Sequence, residues 1–151
     1  MNDNRKNLLT PFVDLLAAIA GGAILGALTN AINVSVSTIY FQNVMGWGDV
    51  ENIVSTSIAQ GIFEGIVMGL FLGLVFAVAV SVISNLKAKV SESLLLLGKV
   101  LGSALVAWII GGVLAILLAA LSPEFYKNTF IGVPEEKELL LPYAWVGGSI
   151  W

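Results

Sequence analysis

The 151-residue sequence has no cysteine and no histidine, and only 11% of its residues are charged. The missing cysteines exclude disulfides, thiolate metal sites and thiol nucleophiles together. The missing histidines remove the commonest general base and the commonest transition-metal ligand. The serines then have no imidazole to activate them, and the one Ser–Lys spacing of note is Ser103, one turn from Lys99. The charge deficit is as informative, because a soluble domain carries roughly a quarter charged residues. At 58% hydrophobic, the chain has the composition of a membrane protein. Its formal net charge of −3 includes no basic patch, which argues against a nucleic-acid partner.

The apolar residues fall into three runs. Residues 1–10 are polar, contain Arg5 and Lys6, and end at Thr10-Pro11, which reads as an N-cap followed by a first-turn proline. A first span is expected over 11–32. A cleaved signal peptide fits less well, since Asp14 interrupts the apolar region and the run exceeds the ~7–15 residues usual there. Residues 33–52 turn polar around Gly46-Trp47-Gly48 and read as an outer loop. Tyr40, Phe41 and Trp47 are expected in the membrane interface, and Asn33-Val34-Ser35 is a chance-level match to the glycosylation tripeptide. A second span covers 53–84, a short connection 85–93, and a third span 94–121, closed by Ser122-Pro123.

Lys87, Lys89 and Lys99 join Arg5 and Lys6 on one side, while the 33–52 loop has no basic residue. The positive-inside rule therefore places the N-terminus and the 85–93 connection in the cytoplasm and the C-terminal end outside. Residues 122–151, divided by Pro123, Pro134 and Pro142, read as an irregular outer tail. Its apolar end is too short for a fourth span of ~20 residues, which leaves an interfacial, re-entrant or partner-docked segment. The expected fold is all-α: a single membrane domain, a bundle of three transmembrane helices with an interfacial tail.

Within the spans, small residues recur every fourth position. The second span carries Ser57, Gly61, Gly65, Gly69, Gly73, Ala77 and Ser81. The first carries Asp14, Ala18, Gly22, Gly26 and Asn30, and the third Lys99, Ser103, Ala107, Gly111, Ala115 and Ala119. Such seams let helix backbones approach closely in lipid. They can pack one another inside the chain, or hold a second copy or another membrane protein. Glycines so placed inside a helix are not a phosphate-binding loop, and no cofactor pattern is present.

The polar residues beside the seams are the only candidates for chemistry. Glu64 is a carboxyl one step from the glycine groove, Gln60 is one turn earlier, and Asn30 is expected at the same outer end. Asp14 and Lys99, each near the cytoplasmic end of a span, form a candidate ion pair, although a first-turn acid also suits the helix dipole unaided. The reading that follows is a non-enzymatic packing or accessory component of a membrane assembly. Its alternative is an oligomeric channel, or a proton- or cation-coupled transporter working through Glu64. Glycine-spaced helices occur in many unrelated proteins and carry no activity by themselves.

Overall fold

The computed structural model describes residues 6–150. Arg5, used above to orient the chain, and the terminal Trp151 lie outside them. Six helices follow in order: α1 (Leu9–Val36), α2 (Thr38–Asn43), α3 (Ile53–Ile83), α4 (Val90–Leu121), α5 (Pro123–Thr129) and α6 (Lys137–Ile150), with no strand among the described residues. α1, α3 and α4, of 28, 31 and 32 residues, are long and apolar enough to cross a membrane. At ~1.5 Å per residue each exceeds the ~30 Å hydrocarbon thickness, so each must tilt or project. α3 ends with Asn85 and Leu86 at φ 51° and 62°, where Leu86 N–H returns to the Ser81 carbonyl at 2.9 Å and Asn85 N–H to that of Val82 at 3.2 Å.

The chain divides into two compact units, Met1–Ala27 with Gly61–Ser103, and Leu28–Gln60 with Ala104–Trp151. In the first, α1 and α3 run antiparallel, each step of four down α1 meeting a step of four up α3: Gly26 against Gly61, Gly22 against Gly65, Ala18 against Gly69. The start of the chain clasps the α3–α4 connection. Asn7 N–H donates to the Leu86 carbonyl at 2.6 Å, and the Ala88 carbonyl accepts from Thr10 Oγ1 at 2.9 Å and from Asn7 Nδ2 at 3.3 Å.

The second unit holds an apolar core of Val34, Tyr40, Phe41, Ala119, Tyr126, Leu140, Tyr143, Ala144 and Val146. α6 supplies four of these. Leu140, Tyr143, Ala144 and Gly147 follow the three-and-four spacing of an amphipathic helix, and all are buried. α6 also lies along α4, where a Cβ on Gly111 would sit 2.6 Å from the Gly148 carbonyl oxygen and one on Gly112 2.7 Å from the Trp145 ring.

Three local expectations are corrected. The 122–151 tail is not irregular: it forms α5 and α6, and α6 accommodates Pro142 in its interior because apolar burial outweighs the lost backbone bond. The 33–52 segment is helical through Val36 and again over α2. That helix carries Asn33, 1% exposed, so the glycosylation tripeptide is out of reach of modification in the folded chain. Finally, Thr10 does not cap α1, which starts at Leu9 with its N–H held by Asn7 Oδ1 at 3.3 Å; Thr10 is spent on the Ala88 carbonyl.

Candidate functional site

The small residues of α1 and α3 meet backbone to backbone. A Cβ on Gly69 would lie 2.5 Å from the Ala18 carbonyl oxygen and 2.9 Å from Ile19 Cα, and one on Gly65 would overlap the Gly22 carbonyl. Gly73 faces Ala18 Cβ at 2.7 Å by the same construction, and Gly22 faces Gly69 Cα at 3.1 Å. Gly26 would strike the Gly61 carbonyl. Gly111 belongs to a different contact, against α6. On α4, two glycines outside the seam read from the sequence, Gly98 and Gly102, have nothing within 4 Å of a Cβ position, and both are exposed with the adjoining Ser103. Their own four-residue spacing was the available signal.

The polar side chains are distributed more narrowly than the sequence suggested. In the second unit, Asn30 and Ser57 bond reciprocally: Asn30 Nδ2 donates to the Ser57 carbonyl at 2.9 Å and Ser57 Oγ to the Asn30 carbonyl at 3.3 Å. Both are buried, as are Asn33 and Ser149, where Ser149 Oγ donates to Asn33 Oδ1 at 2.9 Å. These bonds stitch α1 to α3 and α1 to α6, while Asn33 Nδ2 has no hydrogen-bond partner among the described residues. Gln60 is half-buried, and Glu64 is exposed among the exposed Ile62, Phe63 and Ile66.

Asp14 is fully buried and is bonded by Ser93 Oγ at 2.5 Å on Oδ2, while its Oδ1 has no hydrogen-bond partner among the described residues. Lys99 is exposed, so the expected Asp14–Lys99 contact gives way to a serine whose short side chain reaches the carboxyl from the first turn of α4.

The second unit also contains a cavity of about 430 Å³ lined by Tyr40, Val44, Tyr126, Thr129, Phe130, Ile131, Tyr143 and Gly147. Tyr40, Tyr126, Tyr143 and Gly147 are buried, and Val44, Thr129, Phe130 and Ile131 are exposed. Two ring pairs build the walls: Tyr40 with Tyr143, centroids 5.2 Å apart, and Tyr126 with Phe130, centroids 4.4 Å apart. Gly147 joins the pairs, since a Cβ there would lie 3.3 Å from the Tyr126 hydroxyl and 3.4 Å from Tyr40 Cε2. The Tyr143 hydroxyl donates to the Ile131 carbonyl.

Burial raises the pKa of all three phenols and so holds them neutral. Tyr126 is pushed up to about 12 by burial first and then by Tyr143 and Tyr40, and Tyr143 to about 12 by burial and then Tyr40. The site is therefore lined by aromatic rings and neutral hydroxyls at neutral pH. It was missed in the sequence because its members come from three helices, two of them in a segment expected to be irregular. The trace it left was the Leu140, Tyr143, Ala144, Gly147 spacing.

Neither the protein-family models, nor the curated proteins, nor the solved structures compared with this chain gave a match.

Proposed function

We propose that the chain is a non-enzymatic, three-span membrane protein that packs against a further helix in a membrane assembly, from a second copy or from another membrane protein. The observation that carries this reading is the contrast among its glycines. Gly22, Gly26, Gly65 and Gly69 of α1 and α3 are filled by the chain's own backbone, while Gly98 and Gly102 on α4 stand open in a helix long enough to cross the bilayer. In lipid, small residues favour association by close backbone approach, so an open pair suits an incoming helix.

The proposed setting is a plasma or inner membrane, with lipid around the exposed Phe63, Val67 and Phe71 of α3 and no nucleic-acid partner. The proposed threading keeps the N-terminus and the α3–α4 connection in the cytoplasm. It is supported by Lys6, Lys87 and Lys89, and by the bonds that bring Asn7 onto Leu86 and Ala88.

The test is particle mass in a mild maltoside detergent. The reading expects the wild-type chain to run as an oligomer, or with a co-purifying subunit, and Gly102→Leu to reduce it to a folded monomer. A wild-type monomer with no partner, unchanged by Gly102→Leu, overturns it.

A second reading is favoured by Glu64, a carboxyl exposed on an otherwise apolar stretch about 16 Å along α3. It holds that an oligomer conducts or couples protons or cations through this residue. Here Glu64→Gln abolishes flux in reconstituted vesicles while particle mass is unchanged; retention of flux refutes it.

A further inference from the structure

The tyrosine-lined cavity has no role in helix packing, and its chemistry is specific enough to name an occupant class. Four of its lining residues are aromatic and none is charged. Among the described residues, the hydroxyls of Tyr40 and Tyr126 make no hydrogen bond, although Tyr126 is 1% exposed. The polypeptide of this unit is acidic. Asp49, Glu51, Glu124, Glu135, Glu136 and Glu138 stand exposed against two basic residues, Lys127 and Lys137, and Lys127 Nζ already donates to the Glu135 carbonyl at 3.2 Å.

An anion would find no cation in the cavity wall and an unfavourable field around it. A bare metal ion would find no carboxylate, only neutral phenols and apolar walls. An organic cation finds the opposite: aromatic rings, whose quadrupole attracts positive charge, apolar surface for its substituents, and an excess of acidic residues in the same unit. The volume of about 430 Å³ also falls in the range of roughly 300–1,000 Å³ typical of small-molecule sites.

We propose that this cavity binds an organic ammonium ion, quaternary or tertiary, with apolar substituents, held between the Tyr40–Tyr143 and Tyr126–Phe130 ring pairs. The exposed Phe130, Thr129 and Ile131 form its entrance. Such a group occurs both in free organic cations and in the phosphocholine headgroup of a lipid. The recognition chemistry is the same for both.

The experiment uses the full chain in maltoside micelles. Benzyltrimethylammonium is titrated by calorimetry, and choline or its uncharged carbon isostere, 3,3-dimethylbutan-1-ol, is added as competitor. Saturable binding is expected, with displacement by choline and not by the isostere. Phe130→Leu removes one ring at the exposed rim, keeping an apolar side chain against Tyr126, and is expected to weaken binding roughly 3- to 30-fold. Tyr126→Phe keeps the ring and loses only a hydroxyl that has no bond to lose, so affinity should stay within about 2-fold, because the ring face carries the attraction.

A last arm adds glycerophosphocholine. Displacement assigns the lipid headgroup as a natural source, and no displacement assigns free ammonium compounds; both uphold a cation site. The proposal is overturned by absence of saturable binding, by equal competition from choline and its isostere, or by Phe130→Leu binding as the wild type does.

Discussion

Replacing Gly69 by alanine adds one methyl group where α1 and α3 touch, and the structure defines what that methyl meets. It would sit 2.5 Å from the Ala18 carbonyl oxygen and 2.9 Å from Ile19 Cα, both backbone atoms that cannot rotate away. Ordinary contact begins at 3.4 Å, so the helices must part by about 1 Å. A gap of that size forfeits on the order of a quarter to a half of each contact's attraction along the seam. Overpacking of this kind costs about 1–3 kcal/mol.

The control is Gly102→Ala on α4, where within a single chain the new methyl meets nothing within 4 Å; both variants are compared at a micelle excess that keeps the chains monomeric. Both variants exchange glycine for alanine inside a helix and gain the same propensity, up to ~1 kcal/mol, so their difference isolates the steric cost. Reversible unfolding in mixed micelles, followed by tryptophan fluorescence, should place Gly69→Ala about 1–3 kcal/mol below Gly102→Ala. Equal stability of the two would refute the backbone-contact account of the seam.

Other outcomes follow from the same geometry. Ser93→Ala removes the one side-chain hydrogen bond that buried Asp14 makes among the described residues and should destabilise by about 1–3 kcal/mol; Asp14→Ala in that background should then cost less than it does alone, and additive losses in a double-mutant cycle would contradict the contact. Gly112→Val drives side-chain atoms into the Trp145 ring and should release α6, seen as a tryptophan emission shift with helix content of the long spans retained; an unchanged emission spectrum contradicts the packing. The buried phenols carry a pH dependence. Their pKa is raised from 10.0 to about 12 for Tyr126 and Tyr143, so the stability they contribute is fully present below pH 10 and is lost as pH rises through 12. Tyrosinate absorbance should therefore appear late for these two residues, and a titration in which every tyrosine ionises near 10 refutes their burial.

The three long helices were legible because each needs only length, apolarity and its own backbone bonds, all visible in a linear sequence. The four-residue rule of Gly22, Gly26, Gly61, Gly65, Gly69 and Gly73 was equally visible, since close approach leaves a compositional mark. Which seam meets which was not, because it depends on register. The antiparallel pairing sets Asn30 against Ser57, a partner no spacing rule within one helix could supply. Asp14 illustrates the same limit: charge suggested Lys99, but reach and burial favour Ser93. The prolines of the tail masked α6, whose Pro142 forfeits one backbone bond against the burial of Leu140, Tyr143, Ala144 and Val146.

The clasp of Asn7 and Thr10 on the α3–α4 connection bears on how the chain is made. Synthesis runs from the N-terminus, so α1 emerges long before the residues that hold its start. The Gly22–Gly65 contacts can close once α3 has left the ribosome, giving an early helical hairpin. Asp14 then waits for Ser93, and Asn7 and Thr10 wait for Ala88. Until the beginning of α4 is synthesised, the first helix carries an acid without its serine.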